Sequence, residues 1–137
     1  MARHLLLPPR VTYHLAFPQG IPAFETERSF RLSDREPLQF LESETTDLSF
    51  LLLPVTMIDP DYRLTLSAED RETLGATGES RLLCLAVITA AEDLPPTANL
   101  LAPVVINLDT LCAVQAVRSD RVYSHKHPLL PEEATCS

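Results

Sequence analysis

Apolar positions along this chain come in short bursts rather than long stripes. Val11 to Phe17 and residues 28 to 32, 38 to 42 and 48 to 55 are apolar or alternating, and clusters of Ser, Asp, Glu and Thr bound them. That is the pattern of short, half-buried strands. His4 to Leu7 reads as one more, set off by Pro8-Pro9. In the stretch FPQGIP, Pro18 has the fixed φ that a type I turn wants, and Gly20 closes the turn. Strands of this length and spacing predict a mainly β fold, a small antiparallel barrel-like meander that closes on itself.

One helix interrupts the pattern. In SAEDRETLG, Ser67 is a capping residue, Glu69 and Asp70 occupy the first turn where the helix dipole favours negative charge, and Gly75 stands where a left-handed residue ends a helix. A short helix over 68 to 74 is expected. The run RLLCLAVITAAEDL, 81 to 94, contains Val87, Ile88 and Thr89 and reads as a strand buried on both faces, ending before Glu92-Asp93. After Pro95-Pro96, the segment TANLLAPVVIN reads as a rim loop from Thr97 to Leu101. It feeds an extended segment from Pro103 to Asn107, with Val104 and Ile106 toward the barrel. Asn107 to Thr110 then offers a turn into a strand from Leu111 to Val117.

A length of 137 residues suits one domain, expected over 1–130, with a short polar tail at 131–137 that is expected to be disordered. The 45% hydrophobic content is ordinary for a globular chain. No apolar run approaches the ~20 residues a membrane-spanning helix needs, and Arg3, His4, Pro8, Pro9 and Arg10 break up any secretory leader. A cytoplasmic, monomeric protein is expected. The three cysteines, Cys84, Cys112 and Cys136, have no CxxC spacing and read as free thiols.

Charge narrows the partners. The formal net charge is −8, and between Glu25 and Asp93 there are 15 carboxylates against 6 arginines. Direct nucleic-acid binding requires a basic footprint on phosphates, so it is not expected. A basic protein partner suits such a field.

Chemistry is sparse. Glycines at 20, 75 and 78 alone cannot build a phosphate-cradling loop. His125 and His127 would share one face of a strand, but no third ligand stands near them in the sequence, so no metal and no cofactor are expected. Asp59-Pro60-Asp61 reads as a turn, not an acid/base pair. An enzyme is not expected. The alternative is a β-barrel domain that binds a small ligand or hydrolyses one, for which Asp59, Asp61, His125 and His127 are the candidate groups.

Four pieces occur in an order that resembles the flagellar assembly factor FliW family: FPQGIPAFE (17–25), DPDYRLTLSAED (59–70), PPTANLLAPVVIN (95–107) and YSHKHPL (123–129). LCLAVIT (83–89) stands where the family has its central apolar strand. The resemblance implies a small β-barrel-like fold with no catalytic role. It also implies binding to the translational repressor CsrA, which relieves repression of flagellin messenger RNA, and binding to flagellin itself. Matched positions implied to face partners are Asp59, Pro60, Asp61 and Tyr62, then Asn99, Leu100 and Leu101, then His127 and Pro128. The chain departs from the family in four places. The N-terminal section lacks a Phe-Gly turn, LESETTD (41–47) is unusually polar, and CAVQAV replaces a basic hairpin after Leu111. Ala23 stands where Gly is common, so that position is expected to avoid positive φ.

Overall fold

The computed structural model describes residues 12–35 and 37–129. The expected strand at His4 to Leu7 and the expected tail at 131–137 lie outside them. The strands are β1 (Thr12–Ala16), β2 (Ser29–Arg35), β3 (Leu38–Ser43), β4 (Ser49–Pro54), β5 (Leu82–Ala91), β6 (Leu94–Asn107), β7 (Cys112–Gln115) and β8 (His127–Pro128). Two helices, α1 (Val55–Ile58) and α2 (Ala68–Leu74), lie between β4 and β5. From β1 to β7 each strand pairs antiparallel with the next, and β7 returns to β1 in a parallel pairing at Ala16 and Cys112. Seven strands thus close a barrel, while β8 adds to the outer edge of β6. The meander expected to close on itself does so.

Alternation explains the interior. Phe30 and Leu32 of β2, Leu41 of β3, Leu52 of β4, Leu85 of β5 and Ile106 of β6 are fully buried in one cluster. In β2 and β3 the residues between the buried ones are more exposed, the period of two that a pleated sheet imposes. Val104 and Ile106 face this core, as the alternation predicts. Val105 points the other way, where Leu74 of α2 covers it together with Val114 and Ala116. β6 is therefore buried on both faces at this end, which is why its sequence there is apolar without a break.

Helix α2 begins and ends where its sequence dictates. The Ser67 hydroxyl accepts from the Asp70 amide at 3.0 Å, and Gly75 is left-handed at φ 64° and ψ 33°. The last-turn carbonyl of Leu74, otherwise an orphan, accepts from Asn107 Nδ2 at 2.9 Å and from Thr110 Oγ1 at 3.0 Å. These two bonds pin the helix onto the turn that joins β6 to β7. The single-turn helix α1 was not legible in the sequence. Pro54 ends β4 and caps α1, and the Asp59 amide bonds back to the Val55 carbonyl.

TANLLAPVVIN corrects one expectation. Thr97 to Leu101 is not a rim loop; it belongs to the 14-residue strand β6. The prolines mislead because they normally break a strand. Here Leu85 pairs with Val104 but Val87 pairs with Asn99, so residues 100 to 103 bulge out of the ladder with β5. Pro103 sits in that bulge, where it owes β5 no N–H. The bulge finds other partners: Asn99 Oδ1 accepts from the amides of Leu101 at 3.1 Å and Ala102 at 2.9 Å. The carbonyls of Leu101, Ala102 and Pro103 accept from the Arg118 amide, Gln115 Nε2 and the Ala116 amide.

Ala23 corrects another. Phe17 O accepts from Gly20 N at 2.8 Å, the expected turn, and Ile21 O accepts from Phe24 N at 2.7 Å in a second turn directly after it. Pro22 and Ala23 are the central residues of that second turn, and Ala23 has φ +76°. A type II turn demands positive φ at its third residue, so the position asks for glycine and the chain holds alanine in a strained conformation. Ala23→Gly is expected to raise the unfolding free energy by about 0.5–1 kcal/mol, the relief of strain exceeding glycine's extra unfolded-state entropy. The midpoint of urea unfolding, compared at constant m-value, checks it.

The polar segment LESETTD closes on one carboxylate. Ser43, Thr45 and Thr46 all donate hydroxyl hydrogen bonds to Glu27 Oε1. Those bonds, Ser43's first, hold the Glu27 carboxyl below its ordinary value.

Candidate functional site

The pieces that lie far apart in sequence meet on one side of the barrel. The DPDY turn follows α1: Asp59 Oδ1 accepts from the Asp61 amide at 3.0 Å, and the Asp59 carbonyl accepts from the Tyr62 amide at 3.0 Å. That is an Asx-supported turn, and it leaves Pro60 and Asp61 exposed and Asp59 half-buried. Tyr62 turns inward, 9% exposed, and its hydroxyl donates to the Leu100 carbonyl at 2.7 Å. The bulge of β6 and the DPDY turn are joined through that bond.

His127 and Pro128 approach from the other side, paired with Ala98 and Thr97 of β6. All three sets of residues read as partner-facing therefore converge on β6. They do not share one role. Leu100 is fully buried among Val55, Tyr62, Ala86 and Ala98, and Asn99 is spent in part on the bulge amides. Leu101 and His127 are half-buried, and Pro128 is exposed.

Sequence reasoning missed the residue that ties this side together. Arg118 is 8% exposed and lies against two aromatic rings, its guanidinium carbon 5.1 Å from the centroid of Tyr62 and 4.9 Å from that of Tyr123. The two rings are themselves 4.5 Å apart. Its Nε and Nη2 each donate to an oxygen of Asp120 at 2.9 Å, and its Nη1 donates to the Arg63 carbonyl. One side chain thereby joins the 59–63 turn to the 118–123 segment, and its backbone amide adds the bulge. The Asp120 pairing holds the guanidinium charged, and the Arg118 contact holds the Asp120 carboxyl below its ordinary value. The Asp59 carboxylate beside Tyr123 raises that phenol. A lone Arg in RSDRVY carries no periodic signal, because the turn it joins is more than 50 residues away.

Beneath this cluster lies Cys84, whose thiol burial pushes up to about 12. A thiol kept protonated by the fold stabilises it fully below the unfolded value near 9.0, and that stability is lost as pH rises toward about 12. At ~1.4 kcal/mol per unit the loss is on the order of 4 kcal/mol. Burial raises the Tyr62 phenol too, adding a smaller loss at higher pH. Denaturant midpoints measured from pH 8 to 11 are expected to fall from pH 9 upward in the wild type. In Cys84→Ala the fall should begin later, near pH 10.

Around the bulge from this cluster, an apolar groove of about 290 Å³ opens between the FPQGIPAFE loop and the β5–β6 ribbon. Asn99 and Thr97 lie on its wall, and His125 and Lys126 on its rim.

Among the described residues no three of His, Cys, Asp and Glu are placed to hold one metal ion. Nor does any described side-chain hydrogen bond join His125 or His127 to Asp59 or Asp61. No helix among the described residues is long and apolar enough to cross a membrane.

Fold and surface together define a small mainly β protein, a closed barrel whose irregular side is built from a bulge, a turn and a buried arginine. The family model described as FliW protein matches residues 9–129. The chain belongs to the FliW family. A flagellar assembly factor FliW from Geobacillus sp. (strain WCH70) is 36% identical over 121 residues, covering 85% of this chain and 84% of that one. One from Pseudothermotoga lettingae is 38% identical over 122 residues, covering 82% and 76%. A crystal structure of the flagellar assembly factor FliW superposes with a TM-score of 0.80 at 34% identity, covering 88% of this chain and 87% of the other.

Proposed function

We propose that this chain works as a flagellar assembly factor by binding proteins rather than by catalysing a reaction, with the repressor CsrA and flagellin as its partners. Binding CsrA would free flagellin messenger RNA for translation, and flagellin would hold the factor until export removes it. Family membership supports the assembly role, since the relatives carry that name. The observation that carries a binding role is the surface formed by the half-buried Tyr123 and Asp59 with the exposed Asp61, held from beneath by the buried Tyr62 and Arg118. Tyr is a residue type that anchors interfaces, and the packing of Tyr123 on Arg118 and Tyr62 fixes its geometry before any partner arrives. The net of −9 between Glu25 and Asp93, 15 carboxylates less 6 arginines, supplies a field that attracts a basic RNA-binding protein and repels RNA.

Size-exclusion chromatography of the purified protein with CsrA of the same organism tests the first partner, and with flagellin the second. Co-elution at micromolar concentration is expected for each, and separate elution would remove that partner from the proposal. The triple variant Asp59→Asn, Asp61→Asn, Glu44→Gln should bind CsrA with a shallower salt dependence. An asparagine at position 59 keeps a side-chain oxygen to accept from the amide of residue 61, so the turn should survive. An unchanged salt dependence would rule out the acidic field as the cause.

A further inference from the structure

The groove beside the bulge has a chemistry of its own. Ile21, Phe24, Phe50, Val87 and Val104 give it an apolar floor and side, drawn from four separate segments of the chain. Phe24 is 41% exposed, and its ring packs edge-on against Phe50 with centroids 6.1 Å apart. The backbone that presents Phe24 is strained at Ala23, φ +76°, in the second of the two turns that bring it there. Strain of this kind is retained where the surrounding structure, or a ligand, makes use of the conformation.

Charge says what the occupant carries. Lys126 is the only lysine in a chain of net −8, and it is the one Lys, Arg, Asp or Glu among the residues that line the groove. It is exposed, and its ammonium forms no salt bridge among the described residues. Thr97, Asn99 and Gln115 add neutral polar groups along the wall. A cavity of about 150 Å³ takes one benzene, so 290 Å³ has room for about two side chains of that size.

We propose that this groove binds an extended segment of a partner protein that inserts two apolar side chains over Phe24 and sets a carboxylate against Lys126. The segment lies between the FPQGIPAFE loop and the β5–β6 ribbon. Its lining shares no residue with the Tyr62–Arg118–Tyr123 cluster, so the groove is a second binding surface beside the first. This assignment goes beyond the partners proposed above and does not depend on which protein supplies the segment.

Two capped hexapeptides test it, acetyl-Gly-Leu-Gly-Leu-Asp-Asp-amide and its counterpart ending Lys-Lys, each titrated into isotope-labelled protein by amide chemical-shift mapping. The acidic peptide should shift Phe24, Thr97, Asn99, Gln115 and Lys126 together and saturably, with the basic peptide at least ~10-fold weaker, as one opposed charge pair warrants. Lys126→Glu, at an exposed position, should reverse the preference while leaving the rest of the spectrum in place. Equal binding of the two peptides, shifts scattered outside the groove, absence of saturable shifts from either peptide, or an unchanged preference in Lys126→Glu would each overturn the proposal.

Discussion

Arg118→Ala is expected to lower the unfolding free energy by about 3 kcal/mol and to loosen the packing of Tyr62 and Tyr123. Its side chain is nearly inaccessible, and it supplies three hydrogen bonds from a charged donor and contacts to two aromatic faces. Hydrogen bonds to charged groups are worth ~1.5–3 kcal/mol and a desolvated cation–π contact up to ~2. The sum overstates the cost, because Asp120 is 41% exposed and water replaces its partner once the arginine is gone. The ring of Tyr62, buried at 9% exposure, has no such relief. Arg118→Lys should recover only part of the loss, since an ammonium cannot hold both Asp120 oxygens and the Arg63 carbonyl in one plane. Thermal unfolding reads the stability. Near-ultraviolet circular dichroism of the tyrosines reads whether the face has loosened while the barrel remains folded. A variant as stable as wild type, with the tyrosine signal intact, would show that the arginine does not hold this face.

Gly20→Ala should be as damaging, by a different route. Gly20 has φ +69°, which costs an L side chain ~1–2 kcal/mol. An added Cβ would also lie 2.6 Å from both the Cα and the carbonyl oxygen of Glu25, closer than side-chain carbons come to backbone. Backbone cannot step aside like a flexible side chain, so overpacking adds ~1–3 kcal/mol. A total loss of about 3 kcal/mol is expected from equilibrium denaturation. The same substitution moves Ile21 and Phe24, so the acidic peptide should lose its site even where the variant stays folded at low temperature. Gly78 is the control: among the described residues, apart from Gly78 and its chain neighbours, no atom lies within 4 Å of a Cβ built there, and Gly78→Ala should change stability little.

These two positions were unequally legible. Gly20 could be read as a turn residue from FPQGIP, because turn chemistry is local and glycine has a specific reason to be there. Its clash with Glu25 could not, since that contact follows from a second turn after the first. Arg118 gave no local signal at all. Ala23 shows the limit of reading conformation from residue type. Alanine argued against positive φ, and the two turns, held by Phe17 to Gly20 and Ile21 to Phe24 bonds, impose it anyway.

The chain's own order of residues determined whatever depends on near neighbours. Alternation placed Phe30, Leu32, Val104 and Ile106 in the core. Ser67, Glu69, Asp70 and Gly75 bounded α2, and the apolar run after Arg81 became a strand that ends before Glu92. Tertiary structure decided what depends on who arrives from elsewhere. TANLLAPVVIN reads as a loop because its prolines cannot serve a regular ladder; it is a strand because the segment from Gln115 to Arg118, with Asn99 itself, satisfies the bulge that holds Pro103. Leu100 went to the core because Tyr62, 38 residues earlier, takes its carbonyl. Arg118 became a buried tie beneath the surface because two tyrosines and a carbonyl from separate turns close around it. Propensity acts over a few residues, whereas burial of a polar group is settled only when its partner is brought within about 3 Å by the closed barrel.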